Sequence, residues 1–138
     1  MKKIYIFGVG LIGGSIALKS RDLNIFDEII GIGRAGGSSM DKLVKSGALS
    51  SSSTQIGKEI GEANLIVIAT PVAQTKIILK KIQPFLSPET IITDVGSTKS
   101  DIMCDAKLIL NNNFSQFIGS HPIAGSEKHG PSAAKKNL

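Results

Sequence analysis

Residues 8–13 read Gly8-Val9-Gly10-Leu11-Ile12-Gly13, a G-x-G-x-x-G run. Glycines at that spacing suit the holding of a pyrophosphate against bare backbone. Gly8 permits a tight turn. Gly10 has no side chain to obstruct an approaching phosphate, and Gly13 lets a following helix pack close to a preceding strand. The N–H groups of Leu11 and Ile12 then face the anion together with the positive end of that helix. The run alone is a weak signal. It gains meaning because residues 3–7 read as a buried strand and residues 11–21 as a helix.

Other reactive side chains are few, with two histidines and one cysteine. His121 stands between Ser120 and Pro122, just past an apolar run. His129 lies in Lys128-His129-Gly130 and reads as surface. Two histidines without a matching carboxylate pattern make no metal site. Cys104, between Met103 and Asp105 in a helical stretch, reads as a packed residue with no basic neighbour to activate it. A single cysteine excludes an intrachain disulfide and agrees with a cytoplasmic setting.

The elements that must position these residues alternate along the chain. Strands are expected at residues 3–7, 28–32, 65–69, 90–95 and 116–119. Helices are expected at residues 11–21, 39–46, 56–62, 72–85 and 99–110. Gly47 stops the second helix, and Pro71, Pro84 and Pro88 punctuate the middle of the chain. In the fourth long helix Ile77, Ile78, Leu79 and Ile82 point inward, and Lys76, Lys80 and Lys81 outward. The serine tract at residues 50–54 reads as a solvated loop, and residues 131–138 as the start of a helix. This order predicts an α/β fold: a doubly wound, mostly parallel Rossmann-type sheet with helices on both faces. Ligands of such sheets lie at the carboxyl ends of the strands, here Gly8, Gly33, Thr70-Pro71, Gly96-Ser97 and His121-Pro122.

Bulk properties narrow the partners. The 138 residues suit one domain, and the 41% apolar and 20% charged fractions describe a chain that folds around a core. The net charge of +5 favours anionic ligands. No Lys/Arg run exceeds two residues and aromatic residues make up only 4%, which argues against nucleic acid. Residues 4–18 are uncharged and follow two lysines, as in a signal peptide. Four glycines break that stretch, which suits a strand, turn and helix better and is too short to span a bilayer.

The end of the second strand selects between cofactors. An acid there holds the ribose 2′-hydroxyl of NAD. That place falls at Gly33, followed by Arg34 and then Ser38 and Ser39, while Asp27 and Glu28 lie at the wrong end. A guanidinium without a carboxylate suits a 2′-phosphate, so NADP is favoured over NAD.

Gly8-Val9-Gly10-Leu11-Ile12-Gly13-Gly14-Ser15, Ala69-Thr70-Pro71-Val72, Thr93-Asp94-Val95-Gly96-Ser97-Thr98-Lys99 and Gly119-Ser120-His121-Pro122-Ile123-Ala124-Gly125-Ser126-Glu127 together resemble the prephenate and arogenate dehydrogenases of tyrosine biosynthesis. The last stretch is the most specific. The resemblance implies an oxidative decarboxylation that yields 4-hydroxyphenylpyruvate from prephenate or tyrosine from arogenate. His121 matches the histidine that hydrogen-bonds the substrate 4-hydroxyl, and a neutral imidazole titrates in the range needed to accept its proton. Ser97 matches a serine beside that histidine and the nicotinamide. Its position also suits a helix N-cap. Glu127 matches an acid at the mouth of the site, in an ionic gate, and a solvated glutamate is an equal reading. Thr70 and Pro71 would line the nicotinamide side.

The family also has a helical domain that forms a homodimer and binds substrate. The chain ends at Leu138, without that domain, so weak or absent turnover is expected from it alone. Three functions stand side by side: a dehydrogenase domain of tyrosine biosynthesis, a non-catalytic NADP-binding module that needs a partner, and another reductase of the same fold, such as an imine or β-hydroxyacid reductase.

Overall fold

Ile4 and Ile6 alternate with Tyr5 and Phe7, and all four are buried. A strand with apolar side chains on both faces needs cover on both sides. The computed structural model, which describes residues 1–34, 38–125 and 129–138, supplies it. The chain runs β1 (Lys3–Phe7), α1 (Leu11–Asp22), β2 (Glu28–Ile32), α2 (Ser38–Lys45), β3 (Ser51–Ser53), β4 (Leu65–Ile68), α3 (Val72–Ile82), β5 (Ile91–Asp94), α4 (Lys99–Leu110) and β6 (Phe117–Ile118). The strands form a six-stranded sheet in the order β3-β2-β1-β4-β5-β6, and every pairing is parallel.

Two cores flank the sheet. On one face Ala17 of α1 and Leu43 of α2 join Ile4, Ile6, Ile29 and Val67. On the other, Leu79 and Ile82 of α3 and Ile102 and Ala106 of α4 join Tyr5, Phe7, Ile66 and Ile68. Strand order reverses between β1 and β4, which opens the crevice where such sheets take ligands.

The serine tract departs from expectation. Ser51–Ser53 is an edge strand, paired at Ile30↔Ser51 and Ile32↔Ser53. An edge strand needs only backbone partners, and short polar side chains protect it from pairing with other chains. Nothing apolar alternates there to announce it. Residues 56–62 hold a 3-10 turn at Lys58–Glu62 in place of the expected helix. The last strand shrinks to two residues.

Helix α3 ends at Ile82, followed by a 3-10 turn at Gln83–Phe85 that carries Pro84. Ile77 does not point inward; it is 55% exposed. Gly47 closes α2 as expected, with φ +77° and its N–H on the Val44 carbonyl. Residues 131–138 do not begin a helix. Pro131–Ala133 forms a 3-10 turn, and the chain then lies across α1. The Lys135 N–H donates to Ser15 Oγ at 2.8 Å, and Lys136 pairs with Asp22 at 2.6 Å. Among the described residues no helix is long and apolar enough to cross a membrane.

Candidate functional site

The turn after β1 is built as its glycines require. Gly8 has φ +84°, and its N–H donates to the Ile32 carbonyl at 2.9 Å, which ties the ends of β1 and β2 together. A β-carbon on Gly8 would lie 2.8 Å from the Ala69 carbonyl oxygen, across the crevice at the end of β4. One on Gly13 would overlap the Gly8 carbonyl oxygen, whereas one on Gly10 meets nothing within 4 Å. Gly10 therefore faces open space. No side chain caps the first turn of α1, and no acid lies in it. The free N–H groups of that turn and the helix dipole point at the same opening.

That opening is a cavity of about 720 Å³ over the carboxyl ends of β1, β2 and β4. Gly8, Val9 and Gly10 form one wall, and Gly33 and Arg34 continue it from β2. Ala69, Thr70 and Pro71 face them from β4, and Gln74, Ile77 and Lys81 of α3 complete the far side. Thr70 Oγ1 is shielded from solvent and has no hydrogen-bond partner among the described residues. A buried hydroxyl of that kind is costly unless a ligand satisfies it. Among the described residues that line the cavity there is no acid, and there are two cations, Arg34 and Lys81.

Ser97 and His121 lie elsewhere, on exposed loops after β5 and β6, and neither lines the cavity. Their loops are joined through Asp94, the last residue of β5. Its buried carboxylate accepts from the Gly96 N–H at 2.8 Å, from the Lys99 ammonium, and from the Ser120 N–H at 3.3 Å. The Ser120 hydroxyl donates to the Asp94 carbonyl. The N-cap of α4 is Thr98, and no side chain caps it, so Ser97 does not serve as the cap. Glu127 lies outside the described residues, as do the side chains of Ser38 and Ser39. His129 is exposed, as expected, and Cys104 is exposed instead of packed. Among the described residues no group of three or more His, Cys, Asp or Glu is placed to hold a metal ion.

Two features were not read from the sequence. Lys81 and Ile77 of α3 border the same cavity as the end of β2, a relation between distant segments. The Asp94–Lys99 pair is five residues apart across a turn, outside the one-turn spacings that mark helical ion pairs.

Glycine loop, parallel sheet and crevice at the point of strand-order reversal define a nucleotide-binding domain of the dehydrogenase type. A family model described as the prephenate dehydrogenase nucleotide-binding domain matches residues 16–138, and the chain belongs to that family. The chain is 40% identical to the prephenate dehydrogenase of Lactococcus lactis subsp. cremoris (strain MG1363), over 100% of its own length and 38% of that protein's. It is 39% identical to the prephenate dehydrogenase of Bacillus subtilis (strain 168), over 98% of its own length and 36% of that protein's. It therefore spans well under half of these relatives. The crystal structure of Aquifex aeolicus prephenate dehydrogenase with hydroxyphenyl propionate and NAD+ superposes with a TM-score of 0.87 at 33% identity, covering 99% of this chain and 47% of that one. A Synechocystis arogenate dehydrogenase superposes at 0.85, with 33% identity, over 99% of this chain and 46% of that one.

Proposed function

We propose that this chain is the cofactor-binding part of an enzyme that oxidatively decarboxylates prephenate or arogenate. Its family and its longer relatives support the reaction. One observation carries the binding step: the open space at Gly10, framed by Gly8 and Gly13 and faced by the uncapped start of α1. The residues fit a nicotinamide dinucleotide. Leu11 and Ile12 would offer N–H groups to its pyrophosphate, and Thr70 Oγ1 and Pro71 would border the nicotinamide. Arg34 and Lys81, with no acid beside them on the cavity wall, favour NADP over NAD.

When bound, the nicotinamide supplies the hydride acceptor. His121 accepts the proton of the substrate's 4-hydroxyl as that carbon gives up hydride and becomes carbonyl-like. Ser97 donates to the oxygen as negative charge grows on it, or holds the imidazole in orientation. The bond to the ring carboxylate then breaks, CO2 leaves, its electron pair completes the aromatic ring, and the ring oxygen takes back the proton held by His121.

A second reading, a dinucleotide-binding module without catalysis, is favoured by the exposure of Ser97 and His121 outside the cavity. Titration of the chain with NADP+ and NAD+, followed by assay with prephenate and arogenate with and without a supplied helical domain, tests both. Tighter binding of NADP+, with turnover once the helical domain is supplied, supports the enzyme. Binding without turnover even then supports the module, and no binding of either dinucleotide defeats both.

A further inference from the structure

We infer that Asp94 is a positioning residue that acts with Lys99 to hold the Ser97 and His121 loops in one fixed geometry. The inference rests on the roles proposed above for Ser97 and His121. Asp94 is only 1% exposed. A carboxylate so buried is costly unless it is paired and hydrogen-bonded. Its partners come from two separate loops. Oδ2 takes the Gly96 N–H and the Lys99 ammonium, and Oδ1 takes the Ser120 N–H. Ser97 follows Gly96 and His121 follows Ser120. Each candidate reactive side chain thus hangs one residue from a donor held by the same carboxylate.

The sheet does not do this work. Pairing of β5 with β6 consists of Ile92↔Phe117 and Thr93↔Ile118 and stops there. Beyond Ile118, Ser120 is held by Asp94 through its N–H and hydroxyl, and the Thr93 hydroxyl donates to the same Ser120 oxygen at 3.2 Å.

Two further details agree. A cation at a helix N-terminus opposes the helix dipole. Lys99 opens α4 nonetheless, and its pairing with Asp94 accounts for it. Gly96 leaves room for the carboxylate, since a β-carbon there would stand 3.1 Å from Asp94 Oδ2.

The test compares the unaltered chain with Asp94→Asn and Lys99→Met by NMR, with NADPH and NADH added in turn. Asp94→Asn should lower hydrogen-exchange protection of the Gly96 and Ser120 amides at least tenfold. It should also abolish the cofactor-induced shift of the His121 ring, while dinucleotide Kd stays within threefold. Lys99→Met should produce the same pattern more weakly, and it decides the matter if Asp94→Asn fails to fold. In prephenate oxidation with a helical domain supplied, the loss should fall on kcat, ten- to hundredfold, and not on KM for the dinucleotide. Retained amide protection, or a retained His121 shift, overturns the inference. An unaltered chain that binds neither dinucleotide, or oxidises no prephenate once a helical domain is supplied, counts against the proposed function. The amide protection then decides the coupling by itself.

Discussion

The carbonyl oxygen of Gly8 occupies the place that a β-carbon on Gly13 would need. The first and last glycines of the loop therefore touch across the strand-to-helix turn, and the middle one does not share in that contact.

The two kinds of glycine should separate in experiment. Gly13→Ala should cost about 1–3 kcal/mol of stability through overpacking, read by thermal or urea unfolding. Gly10→Ala should change stability by less than about 1 kcal/mol and still weaken NADP+ binding at least tenfold, read by calorimetry. Equal effects on stability would remove the distinction.

Arg34 and Lys81 border the same cavity from β2 and α3. Loss of one charge-assisted hydrogen bond is worth about 1.5–3 kcal/mol, and about 1.4 kcal/mol is tenfold in Kd. Arg34→Ala should weaken NADP+ at least tenfold and leave NAD+ within threefold. Lys81→Ala should act in the same direction and less strongly. Parallel losses for both dinucleotides would argue that these cations contact the shared part of the cofactor.

His121→Asn keeps a polar group on the loop and removes the base. General base catalysis contributes about 10²–10⁴ in rate, and a loss of that size in prephenate oxidation is expected once a helical domain is supplied, with dinucleotide affinity unchanged.

Asp22 and Lys136 fasten the last residues to α1. The hydrogen-bonded Lys136 ammonium holds the Asp22 carboxyl below the usual carboxylate range. A depressed carboxylate pKa gives stability that is present at neutral pH and lost as pH falls through the folded-state value. The protection of the Lys135 amide, relative to its intrinsic exchange rate at each pH, should therefore fall in acid, and Lys136→Met should remove that acid dependence. A Lys135 amide equally protected in the variant and the unaltered chain would show that the Ser15 hydrogen bond suffices.

Much of the fold was legible because it rests on local pattern. An apolar run of β-branched and aromatic residues marked Lys3–Phe7, and the glycine loop announced both the strand before it and the helix after it. Ser51–Ser53 was not legible, since its strand state comes from the backbone of Ile30–Ile32 beside it and from no property of serine. Ile77 was misjudged because helical spacing names a face but not what that face meets. Cys104 failed likewise, as a mid-helix position that the tertiary packing left outside.

The dinucleotide loop, the parallel order of elements and the resemblance carried by His121-Pro122-Ile123-Ala124-Gly125 were all settled by residues near one another in the chain. The cavity and the junction of the Ser97 and His121 loops were not. Gly8 meets Ala69, and Asp94 meets Ser120, only after parallel pairing brings strand ends together from far apart in sequence. Local chemistry chose the groups. Long-range backbone pairing chose their neighbours, because a parallel sheet gathers its carboxyl ends on one edge, and side-chain type carries no record of which ends will meet there.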